Sequence, residues 1–450
     1  MSETLARHIW HRIGGSPQSF DRLELTGPRT VLPSSYDVTG LAVASVAAAT
    51  LGVADAIAPQ SSPPLVRVNS LDACSSFLSE RRLTPLGWDL PPAWDAIAGN
   101  YRTADGWIRL HTNYSYHREA ALAALGLPEE ANRFQVAAAV RQRKGEELEQ
   151  AVVDADGCAA MMRTGEEWIQ HPAGLVAAGM PTVEIRATGA PTTFEPRPNL
   201  RLGGLRVVDI TRVIAGPMCT RFLAGYGADV LRIDPPGFDE VGALLPLTTE
   251  GKRCAVLDIS TEAGRGQLFS LLEDAHVLVH GLRPGALDRL GLGHDRLVEQ
   301  FPHLVIGRIS AYGTKGPWGR RHGFDSLVQM SSGLAVTETE RSGSDEPSAL
   351  PVQGLDHATG YLLAAGILRL LASRQAGIVS TALAATAHLL SEHRTPDPGV
   401  TAEPSLPALV TRSSAWGRLL STPVPGYISG VSPDLRIPAG PLGRYDPRWR

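Results

Sequence analysis

From Leu205 to Tyr312, short β-branched runs alternate with amphipathic helical runs, and no other feature constrains the fold as tightly. A strand that passes through a helix into the next strand is the unit of a parallel sheet, so this stretch must build an α/β domain. The runs that read as strands are LRVVDI (205–210), DVLRID (229–234), RCAVLDI (253–259), HVLVHG (276–281) and LVIGRIS (304–310). Helices are expected at about 217–226, 262–274 and 294–301. Ser260 and Thr261 can cap the second of these, and Glu262 suits the positive end of its dipole.

The flanking segments differ in texture. Between Trp94 and Pro181, YRTADGWIRLHT reads as two strands joined at Asp105-Gly106, followed by the helical runs REAALAALG and GEELEQAVVDA, as in a smaller α+β domain. APTTFEPRPN (190–199) reads as an extended linker and places a domain boundary near 190–203. The tail from Thr395 carries ten prolines, so it is expected to cross the surface of another domain with little regular structure of its own. GLAVASVAAATLGVADAIA (40–58) approaches membrane-spanning length, but its alanines and Asp55 favour a buried helix of a soluble protein.

Two segments resemble each other. LDACSSFLSERR (71–82) and LAATAHLLSEHR (383–394) agree at Leu, Ala, Leu, Ser, Glu and Arg, and each follows a Gly that opens an Ala-rich helix, at Gly40 and Gly360. Two matches in the same order point to a partial duplication.

Composition excludes several classes of function. Lys+Arg 42 against Asp+Glu 46 gives a net charge of −4 over 450 residues, and neither sign forms a run that would hold nucleic acid or an anionic membrane. Cys74, Cys158, Cys219 and Cys254 form no C-x-x-C pair, which argues against a zinc site or a disulfide framework and fits a reducing cytoplasm. The N-terminus lacks the apolar core of an export signal. P-loop, nucleophile-elbow and G-x-G-x-x-G signatures are missing, and the 13 histidines form no metal-binding motif.

The loops that follow the strands nevertheless carry chemistry. Gly216-Pro217 places a proline in the first turn of a helix, whose free N–H groups suit an anion. Other loops supply Lys252-Arg253, Arg283 with Arg289, and 311–316, and parallel topology gathers them on one sheet edge. The plainer reading is a set of solvated basic residues.

LRVVDITRVIAGPMCTRFLAGYGADVLRIDPPG, GKRCAVLDIS, VLVHGLRPGALDRLGLG, ISAYGTKGPWGRRHGFD and SLVQMSSGLAVT, in this order, resemble the conserved blocks of the CaiB/BaiF family, the family III CoA-transferases. The resemblance runs over about 203–394, and PLGRYDP (441–447) is similar to the family's C-terminal end. It implies a Rossmann-like large domain plus a smaller α+β domain, usually in an interlocked homodimer. AWDAIAGNYRTADGWIRLHTNYSYHREAALAALGLPE and VAAGMPTVEI resemble the small domain but precede the large one. The expected organisation is therefore 1–95 as a partial duplicate of the back half of a large domain, 96–189 as the small domain, 190–202 as linker and 203–450 as the large domain. With this order one chain could close by itself the assembly that two chains ordinarily form.

The resemblance implies that Asp356, in LDHATG, is the catalytic carboxylate; taken alone, an Asp at the head of a helix is most often a cap. Tyr36 stands at the matching place in the upstream copy, with Asp37 one position off, so one site per chain is expected. CoA is expected as a substrate and not as a tightly bound cofactor. Its binding is assigned to Arg212, Ile214, Ala215, Gly216, Lys252, Arg253, Gly281, Leu282, Arg283, Arg289, Ser310, Ala311, Tyr312 and Gly313, with no metal. The implied reaction moves CoA between an acyl-CoA and a carboxylic acid through aspartyl anhydride and thioester intermediates, in a cytoplasmic homodimer without nucleic-acid or membrane partners. The related racemases use a His after the Gly of a G-H-D block; here Gly323-Phe324-Asp325 puts Phe324 there, which weakens that alternative. A non-catalytic CoA-binding scaffold is the other. His322 and His357 read as ordinary, partly exposed histidines. Ile214 and Arg212 replace residues frequent in transferases, and no glycine-rich shielding run is present, so the substrate can differ from those of the oxalate and carnitine types.

Overall fold

The computed structural model describes residues 2–57, 64–196, 201–395 and 405–450. Along the chain, β1 (Leu23–Thr26), α1 (Val38–Ile57), β2 (Val66–Asn69), α2 (Ser70–Phe77) and β3 (Thr84–Leu86) form an N-terminal region. Strands β4 (Gly99–Arg102), β5 (Trp107–Leu110) and β6 (Ala159–Met161) make an antiparallel sheet, and β7 (Val183–Pro191) follows. The large domain comprises β8 (Arg206–Ile210), α3 (Ala215–Gly225), β9 (Asp229–Asp234), β10 (Lys252–Val256), β11 (Val277–His280), β12 (Val305–Ser310), α4 (Asp325–Ser331), α5 (Gly354–Ala372), β13 (Gln375–Ala382) and α6 (Leu383–Ser391). The tail adds β14 (Val410–Ser414), β15 (Gly417–Ser421) and β16 (Tyr427–Ile428).

The main sheet has the order β10-β9-β8-β11-β12-β13-β7; every pair is parallel except β13 with β7. Strands β8, β9 and β11 are buried nearly throughout because both faces are covered, as a parallel sheet requires, whereas the antiparallel edge strand β7 is largely exposed. Side chains alternate: Val207, Val230, Val279 and Val305 enter the core with α3 and α5, while Val208, Leu231, Leu278 and Ile306 enter the core with Leu268, Leu272 and Leu297 of the opposite helices. The expected strands and helices of 205–310 are found, with β10 ending at Val256 because Asp258 and Ser260 turn the chain. Between β8 and β11 the strand order reverses direction, and at such a switch point a crevice opens beyond the carboxyl ends of the strands.

α1 is long and apolar enough to cross a membrane, yet 89% of its apolar window is buried inside the protein. It packs along α5, both helices being rich in small residues that let the backbones approach. A Cβ on Gly52 would come within 2.9 Å of the Leu368 Cβ, and one on Gly360 would come within 2.3 Å of the Ala215 carbonyl oxygen. Gly360 thus lets the start of α3 rest against α5, which brings the loop after β8 to the start of the helix bearing Asp356.

Two expectations need correction. The small domain's own core, with Ile97, Ile108, Leu122, Val136 and Val152, closes at Ala159, whereas β7 is the edge of the main sheet; residues 183–189 therefore belong to the large domain. The tail is more regular than its prolines suggest. They fall between the strands, leaving VTRSS and GRLLS free to form a hairpin that adds to β3, while β16 pairs with β2. Residues 197–200 of the expected linker and 396–404 of the tail lie outside the described residues.

Candidate active site

The site is built at the switch point. Asp209, on β8, is fully buried and accepts hydrogen bonds from Thr211 N (3.0 Å), Thr220 Oγ1 (2.6 Å) and Lys252 Nζ (3.0 Å), which fixes the loop leaving the strand. Within that loop Val213 adopts φ +62°, a left-handed conformation that a β-branched residue rarely takes and that surrounding packing must enforce. Ile214 gives α3 no side-chain cap, so the first-turn N–H groups of that helix are left for another partner.

A cavity of about 210 Å³ opens over this loop. Of the residues expected to hold CoA, Arg212, Ile214, Ala215, Gly216, Gly281, Leu282, Arg283, Ser310 and Ala311 line it, together with Asp356. The other five do not. Lys252 is buried behind the loop, bonded to Asp209 and to the Pro217 carbonyl (3.0 Å), and burial lowers its pKa against the pull of Asp209. Arg253 is held by both oxygens of Asp229 at 2.9 Å. Both head a central-sheet strand whose side chains are sealed in, so they support the loops from beneath. Tyr312 is buried against Trp318 with its hydroxyl 3.3 Å from Ser331 Oγ, Gly313 lines a different hollow beside Met180, and Arg289 is exposed at the end of a short helix.

Asp356 sits in the first turn of α5, but it does not cap that helix. The cap is Asp325, the first residue of α4, whose Oδ2 accepts from Leu355 N (2.8 Å) and Asp356 N (2.9 Å). Among the described residues no group donates a hydrogen bond to the Asp356 carboxylate. Burial, then the Asp325 carboxylate, then Glu80 push its pKa well above the ordinary carboxylate range. Burial likewise lifts Asp325, to about 6, against the hydrogen bonds that hold it ionised. His357 corrects an expectation: it is fully buried, stacked on Phe77 and 2.9 Å from Glu80 Oε2, so the N-terminal region braces the helix at the residue after Asp356.

The small domain closes the cavity within the same chain. Tyr114, Tyr116 and His117 line it, and Tyr114 is anchored through its hydroxyl to Glu240 at 2.8 Å. Phe324, which also lines the cavity, stacks face to face on His111 with ring centroids 3.6 Å apart. His322 is likewise a cavity residue, 3.0 Å from Arg283 Nη1. His117, Cys158 and His322 hold potential ligand atoms within 4.8 Å of one another, but the Arg283 guanidinium already contacts His322 Nε2 at 3.0 Å, and its positive charge disfavours a metal cation there. Burial pushes the His117 pKa down to about 3, so its imidazole is neutral. The roles of Asp325, Glu80 and Tyr114 were missed from the sequence. The Asp of G-F-D was the available signal for the first, while the other two depend on contacts between distant segments.

A doubly wound sheet with a carboxylate at a switch-point crevice, closed by a small α+β domain, is the layout that the resemblance to the family III CoA-transferases implies. Residues 202–404 match the family model described as CoA-transferase family III. A protein of Mycobacterium tuberculosis named a probable fatty acyl-CoA transferase is 33% identical over 198 residues, 41% of this chain and 49% of the relative. A formyl-CoA:oxalate CoA-transferase of Rhodopseudomonas palustris is 32% identical over 185 residues, 38% of this chain and 43% of the relative. The chain thus spans about half the length of the curated relatives it matches. A crystal structure of the M. tuberculosis protein aligns with a TM-score of 0.39 at 31% identity, covering 42% of this chain and 57% of that one.

Proposed function

We propose that the protein is a cytoplasmic CoA-transferase that moves CoA between an acyl-CoA thioester and a free carboxylic acid, with Asp356 as nucleophile. The observation that carries this is the Asp356 carboxylate itself, which lines the cavity, accepts no hydrogen bond from a described residue, and is relieved of capping by Asp325. The names of the relatives, acyl-CoA and formyl-CoA:oxalate transferases, support the same reaction class.

In the proposed reaction one Asp356 oxygen attacks the thioester carbonyl, the C–S bond breaks, and CoA leaves as thiolate, giving a mixed anhydride. The thiolate then attacks the aspartyl carbonyl, releasing the donor acid and leaving an aspartyl-CoA thioester. The acceptor carboxylate repeats the first step, and the thiolate takes the new acyl group. Uncapped N–H groups at Ala215 and Gly216 are suited to the charge that builds on the carbonyl oxygen. Arg212 and Arg283 put positive charge at the same wall for the CoA phosphates.

Racemisation at the α-carbon is the second reading, favoured by His117 and His322 on the same cavity wall, although Phe324 holds the place where the racemases carry their His. We read residues 1–95 as the remnant of a second large domain. Because α1 already covers α5, the homodimer that the family implies would have to form on other surfaces. Asp356→Ala should lower exchange of CoA between a thioester and a free acid at least about a thousandfold. Unchanged exchange would remove Asp356 from the mechanism, and deuterium uptake at the α-carbon without exchange would select the racemase.

A further inference from the structure

A second cavity, of about 230 Å³, shares a wall with the first: Phe324 and Asp356 line one, Ser326 and Gln353 the other. Its polar lining includes Arg81, Asn100, Arg109, Ser326, Gln329, Ser348 and Gln353, drawn from the N-terminal region, the small domain and the large domain, and no carboxylate is among its lining residues.

Neither guanidinium has an ion-pair contact. Among the described residues no carboxylate oxygen lies within 4.0 Å of Arg81 or Arg109. Arg109 donates to Asn100 Oδ1 at 2.9 Å, and its guanidinium carbon lies 5.1 Å from the Trp94 ring centre. Its Nε is buried without a partner, as is Ser326 Oγ. Arg81 donates one bond, to the Pro351 carbonyl. The nearby Asp325 carboxylate offsets part of the Arg109 charge without an ion-pair contact, its oxygens being bonded to Gln329, Leu355 and Asp356. Burial lowers the pKa of Arg109, and the Asp325 charge only partly opposes it. Removing a guanidinium from water in this way is unfavourable unless an anion completes the site, and its planar fork fits a carboxylate with two hydrogen bonds.

We propose that this second cavity is a carboxylate-binding subsite, with Arg109 and Arg81 gripping the carboxylate of a small organic acid and Ser326 and Asn100 supplying further hydrogen bonds. Resting on the function proposed above, the acid held there is the free acid that exchanges with CoA, kept beside the Asp356 wall but outside the CoA cavity. A phosphate of CoA offers the same anionic chemistry, and the test separates the two.

Calorimetric titration of the full-length protein with acetate, succinate, benzoate, inorganic phosphate and CoA provides the test. At least one acid should bind in the millimolar range or tighter, Arg109→Gln should weaken it about tenfold or more, and the exposed Arg81→Gln should weaken it less. CoA affinity should stay within about twofold in both variants. The proposal is overturned if no acid binds the wild type, if both variants bind acids as the wild type does, or if CoA or phosphate is the ligand that weakens. Because binding is read without turnover, the two proposals can fail separately. Wild-type exchange in Asp356→Ala with acid binding lost in Arg109→Gln would sink only the nucleophile, and the converse only the subsite.

Discussion

α1 and α5 lie against each other at the centre of the molecule, and their surroundings follow the same plan. Each joins two parallel strands, β1 to β2 and β12 to β13, each second strand leads into a helix, α2 or α6, and each carries an antiparallel partner, β16 or β7. Their first turns differ. At α1, Asp37 spends its carboxylate on the Gly40 N–H at 2.7 Å, and Tyr36 is buried with its hydroxyl on Thr337 and Arg394 over its ring. At α5 the cap comes from Asp325, a residue on another helix, and Asp356 faces a cavity. A carboxylate at a helix start is ordinarily consumed by the helix. It becomes available for chemistry when a second residue takes over that task.

The largest effect that would break this contrast comes from the caps. Asp325→Ala removes two hydrogen bonds to the α5 backbone and unsettles Asp356, so exchange should fall about a hundredfold or more with about 1–2 kcal/mol lost in stability. Asp37→Ala should cost about 1 kcal/mol and leave exchange unchanged. Equal losses of activity in the two variants, read by steady-state kinetics and denaturant unfolding, would erase the distinction between the helix starts.

A smaller effect sharpens it. Because burial and the Asp325 charge raise the Asp356 pKa, the anion that the proposed reaction needs forms only as pH rises through a value above the ordinary carboxylate range. A carboxyl whose folded pKa is raised favours the folded state most at low pH and loses that contribution as pH rises. Asp325→Asn keeps a capping oxygen but removes the like charge, so the rising limb of kcat/KM should move to lower pH. A limb that stays in place would show that Asp325 does not tune the nucleophile.

The strands of 205–310 were legible because each is a short β-branched run bounded by helix signals, and the switch-point loops followed from parallel order alone. Asp356 was reached through the resemblance, since its own sequence context is that of a cap. Lys252 and Arg253 were misplaced because a basic pair beside a strand looks the same whether it faces a ligand or, as here, Asp209 and Asp229 beneath the sheet. Glu80 against His357, and Arg81 with Arg109, arise from segments far apart in the chain, which local pattern cannot bring together.

The central claim, that Asp356 is a nucleophile freed by a borrowed cap, is tested most directly by mass spectrometry of the protein incubated with an acyl-CoA and quenched with hydroxylamine. The account predicts a hydroxamate on the peptide containing Asp356, present in the wild type, absent in Asp356→Ala and retained in Asp37→Ala. A wild-type protein that exchanges CoA between acids while this peptide stays unmodified would contradict it.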